Sequence, residues 1–366
     1  MSLEAFSKLK QPGTGGLNYF VGAHVGGAGI KMRFTDANDS TNFVDLPLLK
    51  AQDTVSLLGQ VRRVSNEFDN RFKKSICRGA VVSIAGPVKE GETGVLTNWA
   101  GRPDARTISV HQLPVKLFPT GQTHFVNDVH AHSYGLIEAD NDGSLNDKFQ
   151  QIWIKQSKRG PMISQKRTCV LTVGSGMGVA VILKDPLLKT PFVFSSEMGH
   201  LHVPSILDEE TKLIKYISHE NYNDRSSPEF EDIVSDRGLA MLYQYHYFED
   251  HEVKIQLDEI DTKDIINLAR KSNVTAKKAL NDHYKYLSRA AKLLAPTIGC
   301  DSVLISHESY SKNNWYFNSI QDDLYNEFKR FSRPQWMQNI RIYNQVKDFD
   351  FNVIGASYLA KKFAEN

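Results

Sequence analysis

The sequence predicts an α/β protein built as two similar lobes around a cleft, and three observations predict it. The first is length: 366 residues exceed what one hydrophobic core usually serves, so two lobes are expected. The second is a repeat. A strand, a glycine-rich turn and a second strand occupy residues 17–34 and recur at 168–183, roughly 150 residues later, as internal duplication would place them. The third is that each unit is followed by both helix-period and strand-like runs.

The elements follow in order. Residues 12–16, Pro-Gly-Thr-Gly-Gly, read as a flexible lead-in, and residues 1–16 as an N-terminal extension. Residues 17–21 form a strand, 22–29 a turn and 30–34 a second strand, which makes a hairpin. Val55, Leu58, Val61, Val64 and Phe68 recur at steps of three and four, so 53–75 is helical. The apolar run 77–85 stops at Gly86-Pro87 and reads as a buried strand. Residues 124–129 form another strand, ending on polar residues. In the second half 168–173 and 179–183 are strands around the turn 174–178, 262–272 and 275–296 are helices, 303–306 is a late strand and 353–365 a terminal helix. Leu280, Tyr284, Leu287, Ala291 and Leu294 form one apolar stripe, read as core. The expected small lobe holds 17–128 and is completed by the helix near 350–366. The large lobe holds 129–349, and each lobe carries a mixed five-stranded sheet.

Composition excludes several function classes. Hydrophobic residues make up 41% and charged residues 23%, a folded balance rather than a disordered or fibrous one. Lys and Arg total 44 against 42 Asp and Glu, too even for nucleic acid or a membrane surface. No apolar run approaches the ~20 residues of a membrane span. Cys77, Cys169 and Cys300 are far apart without a CxxC pair, so neither a disulfide framework nor a zinc site is expected. Residues 1–16 lack an apolar signal core. The expected location is the cytoplasm, with a mitochondrion or another organelle as the alternative.

Two facing turns of backbone N–H groups suit a polyphosphate. The Asn127-Asp128 pair places an amide and a carboxylate at a strand end, where a plain turn is the alternative reading. Glu197 and His200 lie three apart and converge from one turn, or else form a solvated loop. Glu231 reads equally as a first-turn helix carboxylate.

Six motifs in order make the chain similar to the bacterial-type glucokinase family. They are Gly22-Ala23-His24-Val25-Gly26-Gly27-Ala28, Ser83-Ile84-Ala85-Gly86-Pro87-Val88 with Leu96-Thr97-Asn98-Trp99, Val126-Asn127-Asp128, Gly174-Ser175-Gly176-Met177-Gly178, Ser196-Glu197-Met198-Gly199-His200, and Glu231-Asp232-Ile233-Val234-Ser235-Asp236-Arg237-Gly238-Leu239. The resemblance runs from about residue 17 to the terminal helix. It implies the two-lobed actin-like (ribonuclease H-like) ATPase fold with a central cleft. It implies Asp128 as the base that takes a sugar hydroxyl proton, and Asn127, Asp128, Glu197, His200 and Glu231 as ligands of glucose or a related hexose. Gly26, Gly27, Gly174, Ser175, Gly176 and Gly178 would cradle the phosphates of ATP. No residue is assigned to a resident metal. His130, His132 and His202 take no family role and read as surface or supporting residues.

The nucleotide side departs from the pattern. His24 stands at the family's aspartate, which manages magnesium, Ala28 at its threonine and Lys31 at its arginine. After the late strand, His307 and Glu308 replace two glycines at the adenosine position. Asp36 or Asp39 is the alternative carboxylate. The resemblance therefore implies a glucokinase-like pseudoenzyme with a retained hexose pocket and a degraded ATP site, using neither ATP nor Mg2+. It would act as a homodimer or as a subunit of a complex. The alternatives are an active ATP-dependent glucokinase, which uses ATP and Mg2+, and a related kinase for an amino sugar.

Overall fold

The computed structural model describes residues 4–10, 16–97, 99, 101–102, 104–153, 160–188, 190–307 and 310–365. It divides the chain into a first unit, Met1–Leu145 with Asp350–Asn366, and a second, Asn146–Phe349.

The first unit is built on the hairpin of β1 (Asn18–Gly26) and β2 (Gly29–Asp36). Gly26 lies opposite Gly29, so the turn is only Gly27 and Ala28, tighter than the expected 22–29. Gly22 stays inside β1 for a different reason: a Cβ there would lie 2.3 Å from the backbone nitrogen of Ser357. At Gly29 φ is +138° and a Cβ would stand 2.1 Å from the Leu49 carbonyl oxygen, which only glycine accommodates.

The short strands β3 (Phe43–Asp45) and β4 (Leu49–Lys50) pair with β2. Helix α1 (Thr54–Arg71) starts at Asp53, whose carboxylate accepts the Ser56 N–H at 2.6 Å, a cap worth about 0.5–2 kcal/mol. It buries Leu57, Val61, Val64 and Phe68, while Val55 is exposed, so the apolar stripe is turned slightly from the expected one. Strand β5 (Ile76–Ile84) runs parallel to β1. A small sheet of β6 (Val88–Lys89), β7 (Thr93–Val95) and β8 (Thr107–Ser109) precedes β9 (Thr123–Asn127) and α2 (Asp128–Asn141). The main order is β3-β2-β1-β5-β9 with β4 on β2. That makes six strands rather than five, because strands of two or three residues carry no readable period.

The residues set apart as an N-terminal extension are part of this unit. Phe6 is fully buried, edge-on to Phe34 at 5.0 Å and Phe68 at 5.3 Å. Of the expected flexible lead-in, residues 12–15 lie outside the described residues.

The second unit contains β10 (Phe149–Ile152), β11 (Arg167–Val173), β12 (Met177–Leu183) and β13 (Phe192–Ser196). Helices α3 (Asp208–Tyr222), α4 (Glu231–Val234), α5 (Asp236–His251), α6 (Thr262–Arg270) and α7 (Val274–Ile298) follow. The unit closes with β14 (Ser302–His307), α8 (Tyr310–Ser319), α9 (Gln321–Lys329), α10 (Pro334–Met337) and β15 (Arg341–Gln345). Its six strands run β10-β15-β14-β11-β12-β13. The predicted stripe of α7 is buried at every position. The same helix carries Arg289, fully buried, which donates to Glu210 at 2.9 and 2.7 Å and to Glu327 at 3.0 Å. Cys169 and Cys300, distant in sequence, meet as buried free thiols.

The chain then returns to the first unit as α11 (Phe351–Glu365). It packs on α2, where a Cβ at Gly355 would lie 1.7 Å from the Ala131 carbonyl oxygen and one at Gly135 2.0 Å from that of Phe351. Two glycines thus let the helix backbones touch. This contact keeps α2 in the first unit, which ends at Leu145 rather than at the expected 128. No helix among the described residues is long and apolar enough to cross a membrane.

Candidate active site

In the second unit, local pairing brings three of the expected sugar ligands together. Gly199 allows the turn 198–200 to lie on β12, since a Cβ there would sit 2.1 Å from the Met177 carbonyl oxygen. Val203 N–H donates to the Pro228 carbonyl at 2.8 Å and Phe230 N–H to that of Leu201 at 3.0 Å. This pairing sets Glu229 beside His200, with Nδ1 2.6 Å from Oε2. Glu197 Oε2 stands 3.7 Å from the other ring nitrogen. The hydrogen bond to Glu229 raises the His200 pKa above its usual range. Burial opposes this, and the charges of Glu231, Glu229 and Glu197 add to the rise.

Glu231 begins α4 and turns its carboxylate onto the second glycine turn. Oε2 accepts the Met177 N–H at 2.9 Å. Arg237 Nη2 lies 3.9 Å from Oε1. The neighbouring Asp232 is buried and accepts from Asn221, the Tyr222 hydroxyl and the Glu229 N–H at 2.9, 2.6 and 2.9 Å, which fixes the loop that carries Glu229 and Glu231. Three carboxylates and an imidazole offer acceptors and a donor to vicinal hydroxyls. Glu229 was not read from the sequence. A lone acid after a proline has no period, and only the long-range pairing reveals it.

Asn127 and Asp128 stand in the first unit, at the junction of β9 and α2. Asn127 is the helix cap: its Oδ1 accepts the Val129 N–H at 3.0 Å and its Nδ2 donates to the Gly86 carbonyl at 3.4 Å. Asp128 is half-buried, and its Oδ1 also accepts the Val129 N–H, at 2.8 Å. The pair is therefore a helix start rather than a plain turn.

At the first glycine turn, His24 lies opposite Ser83 across β1 and β5, with Nδ1 3.1 Å from the serine oxygen. Its Nε2 is 3.2 Å from the place of a Gly26 Cβ, so the ring lies along the strand towards the turn. Burial lowers its pKa; Asp350 opposes this and Lys31 adds to it. Lys31 pairs with Asp350 at 2.8 Å, and Asp350 also caps α11 through the Asn352 N–H at 3.1 Å. Burial works against the Asp350 charge, but His24 and Lys31 hold its carboxyl below the usual range. His132, read as a surface or supporting residue, is buried here, and desolvation pushes it down to about 4. His130 is half-buried against Tyr134, and His202 is exposed.

Asp36 and Asp39 do not stand at this turn. Asp36 pairs with Tyr19 at the opposite end of the hairpin, and Asp39 accepts from Thr41. The turn thus presents an imidazole, an ion-paired ammonium and the exposed methyl of Ala28. Beside them, the oxygen ligand that a hard cation such as magnesium takes is the Asp350 carboxylate, which Lys31 already holds.

The second turn is closed by hydrogen bonds from Gly174 N–H to the Gly176 carbonyl at 3.0 Å and from Asp236 N–H to the Gly174 carbonyl at 2.8 Å, and Ser175 is exposed at its tip. Gly178 lies within β12 rather than in the turn. At the adenosine position β14 ends on His307, and Glu308 lies outside the described residues.

The family model for glucokinase matches residues 21–305. The chain belongs to the glucokinase family. It is 35% identical to glucokinase 1 of Trichomonas vaginalis over 370 residues, covering 99% of this chain and 98% of that one. Among solved structures, glucokinase from Balamuthia mandrillaris in complex with glucose aligns with a TM-score of 0.87 at 30% identity, over 95% of each chain. Leishmania braziliensis glucokinase aligns with a TM-score of 0.75 at 20% identity, over 98% of this chain and 94% of that one, a likeness of fold. The fold is the actin-like ATPase fold of these sugar kinases, as the sequence predicts. Glucokinase-like function is thus the class that the family supports for this chain. The matched span holds every expected sugar residue and both glycine turns, whereas Asp350 and α11 lie beyond it.

Proposed function

We propose that the chain is a hexose-binding glucokinase homologue that has lost phosphoryl transfer from ATP and serves as a structural or sugar-binding subunit. The observation that carries this reading is His24. A half-buried imidazole tied to Ser83 occupies the family's aspartate position, and burial lowers its pKa. Ala28 supplies no hydroxyl, so the turn keeps its backbone shape and loses its side-chain chemistry. Losing a carboxylate and a phosphate donor together removes several kcal/mol, and each ~1.4 kcal/mol is tenfold in affinity.

The hexose side supports binding. Glucose or a related hexose would be held by Asn127, Asp128, Glu197, His200 and Glu231, with Glu229 holding His200 in place. The Balamuthia relative is described in complex with glucose. Partners are a second copy or another protein of a complex, and the proposed location is the cytoplasm.

A second reading, an active ATP-dependent glucokinase, is favoured by one observation: Asp128 stays at the head of α2. In that reading Asp128 takes the proton from the attacking hydroxyl, a contribution of about 10²–10⁴-fold.

Calorimetric titrations of glucose and of magnesium-ATP, with a coupled assay for sugar phosphate, separate the two. Glucose binding without magnesium-ATP binding at millimolar concentration supports the first reading. The changes His24→Asp and Ala28→Thr together should not restore turnover. Phosphorylation by the unmodified protein on the order of 1–10³ per second overturns the reading and establishes the second.

A further inference from the structure

The second unit contains a cavity of about 320 Å³ between strands β10 and β15 and helices α8 and α9. It shares no residue with the candidate active site. The volume lies at the lower end of the ~300–1,000 Å³ range of small-molecule sites. Its wall is dominated by carboxamides: Gln150, Asn314, Gln321 and Asn344 are four of them. Among these, Asn344 is 2% exposed. Its Nδ2 donates to Asn314 Oδ1 at 3.1 Å, while its Oδ1 is buried with no hydrogen-bond partner. A buried carbonyl without a donor is an unmet demand that needs an explanation.

Two further features mark the cavity as a built site. Trp153 and Phe317 line it and are both nearly buried. The Trp153 backbone has φ +55°, an unfavourable region for a bulky residue that persists only where surroundings impose it. Here the indole Nε1 donates to the Gln321 carbonyl at 2.9 Å and the ring packs on Phe328 at 5.2 Å.

We propose that this cavity is a second ligand site, separate from the hexose pocket, for an uncharged hydroxyl-bearing ring such as a free mono- or disaccharide. Carboxamides both donate and accept, as hydroxyls require. Trp153 and Phe317 close the apolar side of the cavity. Among the described residues that line the cavity there is no Lys or Arg, and the charged side chain is Asp322. The Asp322 carboxylate works against phosphorylated sugars and other anions.

The test uses the full chain, with glucose and maltose as probes and adenosine and inorganic phosphate as comparisons. Crystals soaked with maltose locate the site, and saturation-transfer NMR titration measures binding in solution. The expected result is maltose or glucose in the cavity with a hydroxyl near Asn344 Oδ1, and saturable binding weakened at least tenfold by Asn344→Leu. The exposed double change Gln150→Ala with Gln321→Ala, which leaves the core alone, should weaken it likewise. Occupancy in crystals without saturable binding in solution overturns the proposal. So does preferential binding of adenosine or phosphate, or sugar binding that neither variant alters.

Discussion

The Glu231 carboxylate stands where a side chain at Gly176 would have to begin: a Cβ on Gly176 lies 2.5 Å from Glu231 Oε2, the atom that accepts the Met177 N–H. The glycine turn and the acid are therefore one unit. Replacing Gly176 by Ala should push the carboxylate off the amide and lose a charge-assisted bond, costing about 1.5–3 kcal/mol. Glucose titration should show weakened binding in the same variant. A Gly176→Ala protein with unchanged unfolding and unchanged glucose affinity would show the contact to be dispensable.

Arg289 holds two buried acids at once, Glu210 and Glu327, with Lys292 on the second of them. Removing the guanidinium leaves those carboxylates under-compensated in a dry interior. Arg289→Met is expected to destabilise the protein by about 3–5 kcal/mol, read from urea unfolding. A loss below about 1 kcal/mol would mean that Lys285, 2.7 Å from Glu210, and Lys292 suffice.

The His200–Glu229 pair makes a pH-dependent contribution of defined sign. The folded-state pKa of His200 is raised, so the stabilisation is fully present below the unfolded value of about 6.5 and is lost as pH rises through the folded value. The difference in melting temperature between the native protein and Glu229→Gln should thus be largest in mild acid and shrink towards alkaline pH. A difference constant across pH 5.5–9 contradicts the pairing.

His283 has the opposite sign. It is 3% exposed, its Nδ1 faces the Ile233 carbonyl at 3.2 Å, and burial pushes it down to about 4. Between about pH 6.5 and 4 the unfolded chain takes up a proton that the folded one refuses. Stability should fall by about 3 kcal/mol as pH drops through that window. Ring-proton NMR would follow it directly, and titration of this ring near 6.5 would refute the assignment.

Much of the scaffold was legible because it is written in local pattern. The strands β1, β2, β11, β12 and β14 and the helices α7 and α11 follow apolar runs and stripes. What failed was whatever depends on distant chain. Gly22 looked like a turn residue, yet it serves the approach of α11. Phe6 lies in the stretch read as an extension, and its place is set by Phe34 and Phe68. At the candidate site, the spacing of Glu197 and His200 was readable, and so was the Asn127-Asp128 strand end. Glu229, which holds His200, and Asp350, which faces His24 and Lys31, come from pairings no window of sequence contains.

Helix α11 covers β1, β5 and α2, all synthesised more than 200 residues before it. During translation the second unit, Asn146–Phe349, leaves the ribosome before the first can be finished. Until α11 arrives, Gly22, Gly79 and Gly355's counterpart surface on α2 have nothing against them, and the apolar sheet face bearing Phe20 and Val81 is open to chaperones or to misdirected partners. A chain that ends just before Phe351 therefore carries the whole of the second unit and an unsealed first one, a state that pulse proteolysis of such truncated chains would resolve.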